Sequence, residues 1–116
     1  MIQLSVDGAS TVMAINGEFD MAAEPQFKEI ARESLATGCK DYIIDLDGVS
    51  YLDGKALAAL MEFFKSVSAA GGSVRIVTSN AFHRRLFSIT GIDRVITLFG
   101  SRAQAEAAHK ANQKKA

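Results

Sequence analysis

Side chains capable of catalysis or metal binding are few in this sequence, and none stands at a working spacing. His83 and His109 fall in separate predicted helices, with neither cysteine nor carboxylate at ligand distance along the chain, so no metal site is expected. Cys39, the only cysteine, follows a helix end beside Lys40; the dipole there should not favour a thiolate, and it reads as a buried or inert thiol. "GVSYLDGKA" (48–56) imitates a phosphate-binding loop. Five residues separate Gly48 from Gly54 where four are needed, and Ala56 replaces the magnesium-binding hydroxyl. "DLDG" (45–48) begins like a calcium loop, but Val49 and Ser50 follow where oxygen ligands and a glycine turn belong. No enzyme signature survives, and no cofactor is expected.

The junction "YLDGKAL" (51–57) is the unusual stretch. It puts Gly54, a poor helix former, and the cation Lys55 into the first turn of a helix, against its dipole. With Asp53 as N-cap, the carboxylate is expected to accept hydrogen bonds from the N–H groups of Lys55 and Ala56. Leu52 and Leu57 then occupy the two positions of a hydrophobic staple. Capping alone accounts for Asp53 energetically. A docking role is the alternative: the junction lies at the carboxyl end of a central parallel strand, where open α/β sheets place their sites. Gly54 would permit close approach of a partner, and Lys55 projects outward. Ala56, Ala59 and Phe63 fall beside the main apolar stripe of the helix. They form either a seam under a neighbouring helix or a partner-binding shoulder.

The elements that hold this junction follow from pattern. "IQLSV" (2–6) and "STVMAIN" (10–16) flank the turn "DGAS" and predict an antiparallel hairpin. "GEFD" leads to a helix over 22–37 that carries Pro25 in its first turn and ends at Gly38. "DYIIDLD" (41–47) reads as a buried strand, and 54–70 as a helix with the stripe Leu57, Leu60, Met61, Phe64 and Val67. A strand at 73–79, a helix at 81–90 capped by Asn80, a strand at 94–98 and an alanine-rich helix opened by a Ser101–Gln104 capping box complete the chain. The order β-β-α-β-α-β-α-β-α predicts one α/β domain over 1–116, with a core at about 3–108 and a frayed basic end at 109–116. A mixed sheet is expected, an antiparallel hairpin followed by mainly parallel strands, with helices mainly on one face.

Composition agrees with this. Of the 116 residues 48% are apolar, and thirteen basic side chains balance thirteen acidic ones, which argues against a general attraction to nucleic acid or anionic lipid. No apolar run is long enough for a membrane span and no signal peptide opens the chain, so the cytoplasm is the expected compartment.

In this order and spacing, "INGEFD" (15–20), "YIIDLDGVSYLDGKALAAL" (42–60), "AAGGSVRIV" (69–77) and "RRLFSITGIDRVI" (84–96) make the chain resemble a STAS domain, the fold of bacterial anti-sigma factor antagonists. The resemblance spans about residues 3–108. It implies a non-catalytic regulatory module whose partner is an anti-sigma factor of the serine-kinase-like type or a related signalling protein. In phosphorylatable members the residue after the aspartate at position 53 is a serine or threonine, modified by that partner. Here Gly54 has no hydroxyl, so the fold and the recognition aspartate carry over and the phosphoswitch does not. Ser50 and Ser79 are the candidate substitute acceptors, the alternative for each being a solvated turn or cap hydroxyl. The expected partner-binding surface is Ser50, Asp53, Gly54, Lys55, Ala56, Ala59 and Phe63. STAS domains also serve as scaffold or accessory subunits of signalling and transport complexes. A third reading is an anion, nucleotide or lipid sensor at the helix start, with Lys55 and Arg84 or Arg85 as cations.

Overall fold

In a computed structural model, residues 2–115 are described; the side chains of Asp7 and of residues 110–115 lie outside the described set. The elements are β1 (Ile2–Asp7), β2 (Ser10–Phe19), α1 (Glu24–Ala36), β3 (Asp41–Leu52), α2 (Gly54–Ala69), β4 (Ser73–Val77), α3 (Ala81–Thr90), a 3-10 turn (Ile92–Arg94), β5 (Leu98–Phe99) and α4 (Arg102–Lys115). Five strands form one sheet in the order β1-β2-β3-β4-β5. β1 and β2 are antiparallel, and the remaining pairs are parallel.

Alternation along β3 divides the interior. Tyr42, Ile44 and Leu46 face α1, α2 and α3 and join Met13, Ile15, Val74 and Ile76 in the main core. Ile43 points the other way and packs with Val12, Val77 and Ala105 of α4. Three helices therefore cover one face and α4 the other. Beneath α4 the packing is partly ionic. Arg75 donates to the Ala105 carbonyl and to Ser10 Oγ, both at 3.0 Å. Glu106 accepts from the Ala9 N–H at 3.3 Å, and Arg102 meets Asp45 at 2.6 Å.

Two strands run further than their sequence patterns predict. β2 continues through Gly17 to Phe19, and β3 through Gly48 to Leu52. The pairing slips between Ala14 and Asn16 and again after Gly17, then resumes to Phe19↔Leu52. Glycines make this possible. Gly17 adopts φ 87°, and a side chain at Gly48 would collide with Asn16 and the Ile15 carbonyl. Residues that look like turn signals are thus bulges in a continuing ladder. The last strand also moves: Ile92–Arg94 form the 3-10 turn, Ile92 and Ile96 are buried around it, and β5 is only Leu98–Phe99.

On α2 the buried face is Ala56, Ala59, Leu60, Phe63 and Val67, whereas Leu57, Met61 and Phe64 are only half-buried. The predicted stripe is rotated because α2 lies against α1 as well as the sheet, and small alanines let it approach closely. At α4 the Gln104 N–H donates to Ser101 Oγ at 3.2 Å, while the Gln104 side chain accepts from Gly100, one residue before the expected partner. The frayed end expected at 109–116 falls partly outside the described residues; the helical backbone runs to Lys115. Among the described residues, no helix is long and apolar enough to cross a membrane.

Candidate functional site at the carboxyl end of the strands

Asp53 leaves β3 in extended conformation (φ −114°, ψ 179°) and caps α2. Its Oδ1 accepts from the Ala56 N–H at 2.9 Å. The expected bond from Lys55 is replaced by one from further away: Oδ2 accepts from the Met21 N–H at 2.8 Å, in the turn between β2 and α1. Asp20 organises that turn in the same manner, accepting from Ala22 and Ala23 at 3.1 Å each. Two aspartates therefore fix two neighbouring loop ends, and Asp53 belongs to both. Leu52 is buried and Leu57 half-buried, and both belong to the main core.

Ser50, Gly54 and Lys55 are exposed at this end. A Cβ added at Gly54 would meet nothing within 4 Å, so no contact inside the chain demands glycine there. Ala56, Ala59 and Phe63 correct the expected surface. They are 0%, 2% and 4% exposed, and the apolar shoulder is the seam between α1 and α2. The Phe63 ring stands edge-on to Tyr42 at 4.8 Å and to Phe27 at 5.7 Å. These three residues hold the helix in place and are not available as a free docking patch.

Three large side chains missing from the sequence-based site stand exposed at this end of the sheet. Met21 (66%) is in the turn clamped by Asp53, Tyr51 (53%) is near the end of β3, and Phe82 (74%) is in the first turn of α3. For two of them a signal is visible in retrospect. Met21 directly follows Asp20 and Phe82 lies two residues after the cap Asn80, whereas Tyr51 shares the parity of buried Val49 and is turned outward only by the irregularity in β3.

The remaining candidates separate. Ser79 is exposed, but its N–H and hydroxyl both donate to Asp47 Oδ1, at 2.7 and 3.1 Å. Arg84 donates through Nε to the Thr78 carbonyl at 2.8 Å, whereas Arg85 is exposed. His83 is buried on α3, and burial pushes its pKa down. His109 lies on the opposite face, with Nε2 3.7 Å from Asp41 Oδ2. Cys39 is half-buried, and hydroxyls of Thr11, Thr37 and Ser34 draw its thiol pKa below the ordinary value. The helix dipole alone is thus a poor guide to this thiol.

Residues 1–105 match the family model described as the STAS domain. The chain belongs to that family. It is 34% identical over 84 residues to the anti-sigma-B factor antagonist of Bacillus subtilis (strain 168), covering 72% of this chain and 76% of that protein. An anti-sigma factor antagonist from Mycobacterium paratuberculosis superposes with a TM-score of 0.85 at 22% identity, covering 93% of this chain and 92% of that one. A sulfate transporter family protein from Wolinella succinogenes gives 0.79 at 19% identity, with 92% and 89% covered. At such identities the last two speak for the fold alone.

Proposed function

We propose that this STAS domain is a non-catalytic regulatory module that docks a signalling protein through Ser50, Asp53, Gly54 and Lys55, with Met21, Tyr51 and Phe82 as apolar anchors around them. The partner is an anti-sigma factor or a related serine-kinase-like protein. The observation that carries this reading is the double clamp of Asp53, which holds an open glycine, a free cation and an exposed methionine in fixed relation. Large apolar side chains ringed by polar groups are the usual anatomy of a protein interface. Similarity to an anti-sigma-B factor antagonist supports the choice of partner.

Docking here is not switched at residue 54, because glycine offers no oxygen to phosphorylate. Among the substitutes, Ser50 is the better acceptor: it is exposed, while the Ser79 hydroxyl is engaged by a carboxylate that would repel a phosphate. An anion-sensor reading is weaker, since the Asp53 carboxylate already occupies the Ala56 N–H and Arg84 is tied to Thr78. The STAS resemblance also leaves open an accessory role in a transport complex, which co-purification with membrane transporters would favour.

The test is a pull-down against anti-sigma factors of the kinase-like type, comparing wild type with Lys55→Glu and Met21→Ser. Both variants are expected to capture at least tenfold less partner while unfolding at midpoints no lower than wild type. Equal capture by folded variants would show the surface to be wrong.

A further inference from the structure

Away from the docking end, β1 is an open edge of the sheet, paired among the described residues with β2 and with no other strand. Proteins blunt such edges with lysine, proline or bulges. Ile2–Val6 contains neither residue, and its register with β2 runs unbroken from Ile2↔Ile15 to Asp7↔Ser10. Leu4 is 50% exposed and Val6 77%. Both lie on the face of the large core, since Leu4 stands opposite the buried Met13. Beside them a groove of about 360 Å³ separates β1 from the end of α1, lined by Leu4, Val6, Thr11, Glu33 and Thr37 among others.

The opposite edge, β5, is two residues long and cannot receive a six-residue strand. The matching edge for β1 is another β1. We propose that two copies of this chain pair β1 to β1, antiparallel about a two-fold axis, into one continuous ten-stranded sheet.

Geometry narrows the register. The two-residue loop Gly8–Ala9 makes Asp7↔Ser10 a hydrogen-bonded pair, so the backbone groups of Val6, Leu4 and Ile2 turn outward, free for a second strand. A two-fold axis normal to the sheet preserves faces, so residues opposite one another must share a face. Leu4 across from Leu4 and Leu4 across from Val6 both meet these conditions; the second sets the two exposed apolar side chains of the edge against each other, and the symmetry repeats the pair. Each apolar side chain then covers the other, and each Val6 is carried toward the groove of its neighbour. Ser5 falls on the axis opposite Ser5 of the second copy, as a non-hydrogen-bonded pair. The interface uses none of the docking residues, so it stands independently of the proposed function.

Analytical ultracentrifugation of the full chain at 10–200 μM, concentrations of the order used for weak association, is expected to give about twice the mass of one chain. Leu4→Lys and Val6→Lys, which place cations on the edge, should each raise the dissociation constant at least tenfold, with unfolding midpoints equal to that of wild type once all are diluted to monomer. In a Cys39→Ser background, Ser5→Cys should form a covalent dimer on oxidation, because such opposed residues have Cα atoms about 4.5 Å apart, within disulfide range. Gln3→Cys should not. A monomer throughout the range, a dimer indifferent to both lysines, or cross-linking at 3 and not at 5 overturns the pairing.

Discussion

The Asp53 carboxylate joins the Met21 amide, at 2.8 Å, to the first turn of α2, at 2.9 Å from the Ala56 amide. One side chain thus sets the distance between two loops of the docking end. Asp53→Ala removes both bonds and is expected to cost about 1–2 kcal/mol, the upper part of the range for a lost cap. Asp53→Asn keeps an acceptor for one amide and should cost roughly half as much. Denaturant unfolding measures the difference, and hydrogen exchange at Met21 should quicken in both variants. An Asp53→Ala protein as stable as wild type would show the clamp to be idle.

Lys55 and Phe63 separate function from packing. Phe63 is enclosed by Phe27 and Tyr42, so Phe63→Ala is expected to lower stability by about 3–5 kcal/mol. Any loss of binding in that variant follows from a damaged fold. Lys55 is exposed and opposes the helix dipole, so Lys55→Glu should raise stability by about 0.3–1 kcal/mol while weakening docking. Gain of stability with loss of binding would identify a cation kept for a partner and not for the fold.

Much of the architecture is legible because burial imposes periodicity. The hairpin, the start of α2 at Asp53, the cap of α3 at Asn80 (which accepts from the His83 N–H at 3.0 Å) and its stop at Gly91 all follow from local patterns. What local pattern hides is tertiary. "GEF" (17–19) and "GVSYL" (48–52) fall outside the predicted strands until they are seen to continue the pairing across two slips. Phe63 reads equally as seam or as docking shoulder until α1 is seen to close over it. Arg75, in the middle of a strand, gives no hint that its guanidinium is to be spent on a carbonyl of α4, thirty residues later. At the site, Asp53 is legible by its spacing, but its bond to Met21 is not, since thirty-two residues separate them.

Gly54 has room for a side chain, which makes the missing switch testable. Gly54→Ser should be stabilising by a few tenths of a kcal/mol, since serine is the better helix former. With a kinase-type partner and ATP, phosphate is expected at residue 54 of this variant, detected by mass spectrometry of the peptide. The added charge should release the partner. A Gly54→Ser protein that stays unmodified while the wild type is phosphorylated at Ser50 would show that control has moved along the strand.

His83 supplies a pH dependence whose sign is fixed by burial. The imidazole is enclosed, Nδ1 has no hydrogen-bond partner among the described residues, and burial holds its pKa below the ordinary 6.5. The unfolded chain therefore binds a proton more readily than the folded one as pH falls through about 6.5. Stability from this group is complete above that pH and declines below it, down to the depressed folded value. Unfolding midpoints should accordingly be flat from about pH 8 to 7 and fall between about 6.5 and 5.5, before most carboxylates titrate. His83→Leu keeps the backbone N–H that Asn80 caps and removes the titrating ring, so its midpoint should stay level across the same interval. A parallel decline in both proteins would assign the proton uptake elsewhere and leave His83 as packing alone.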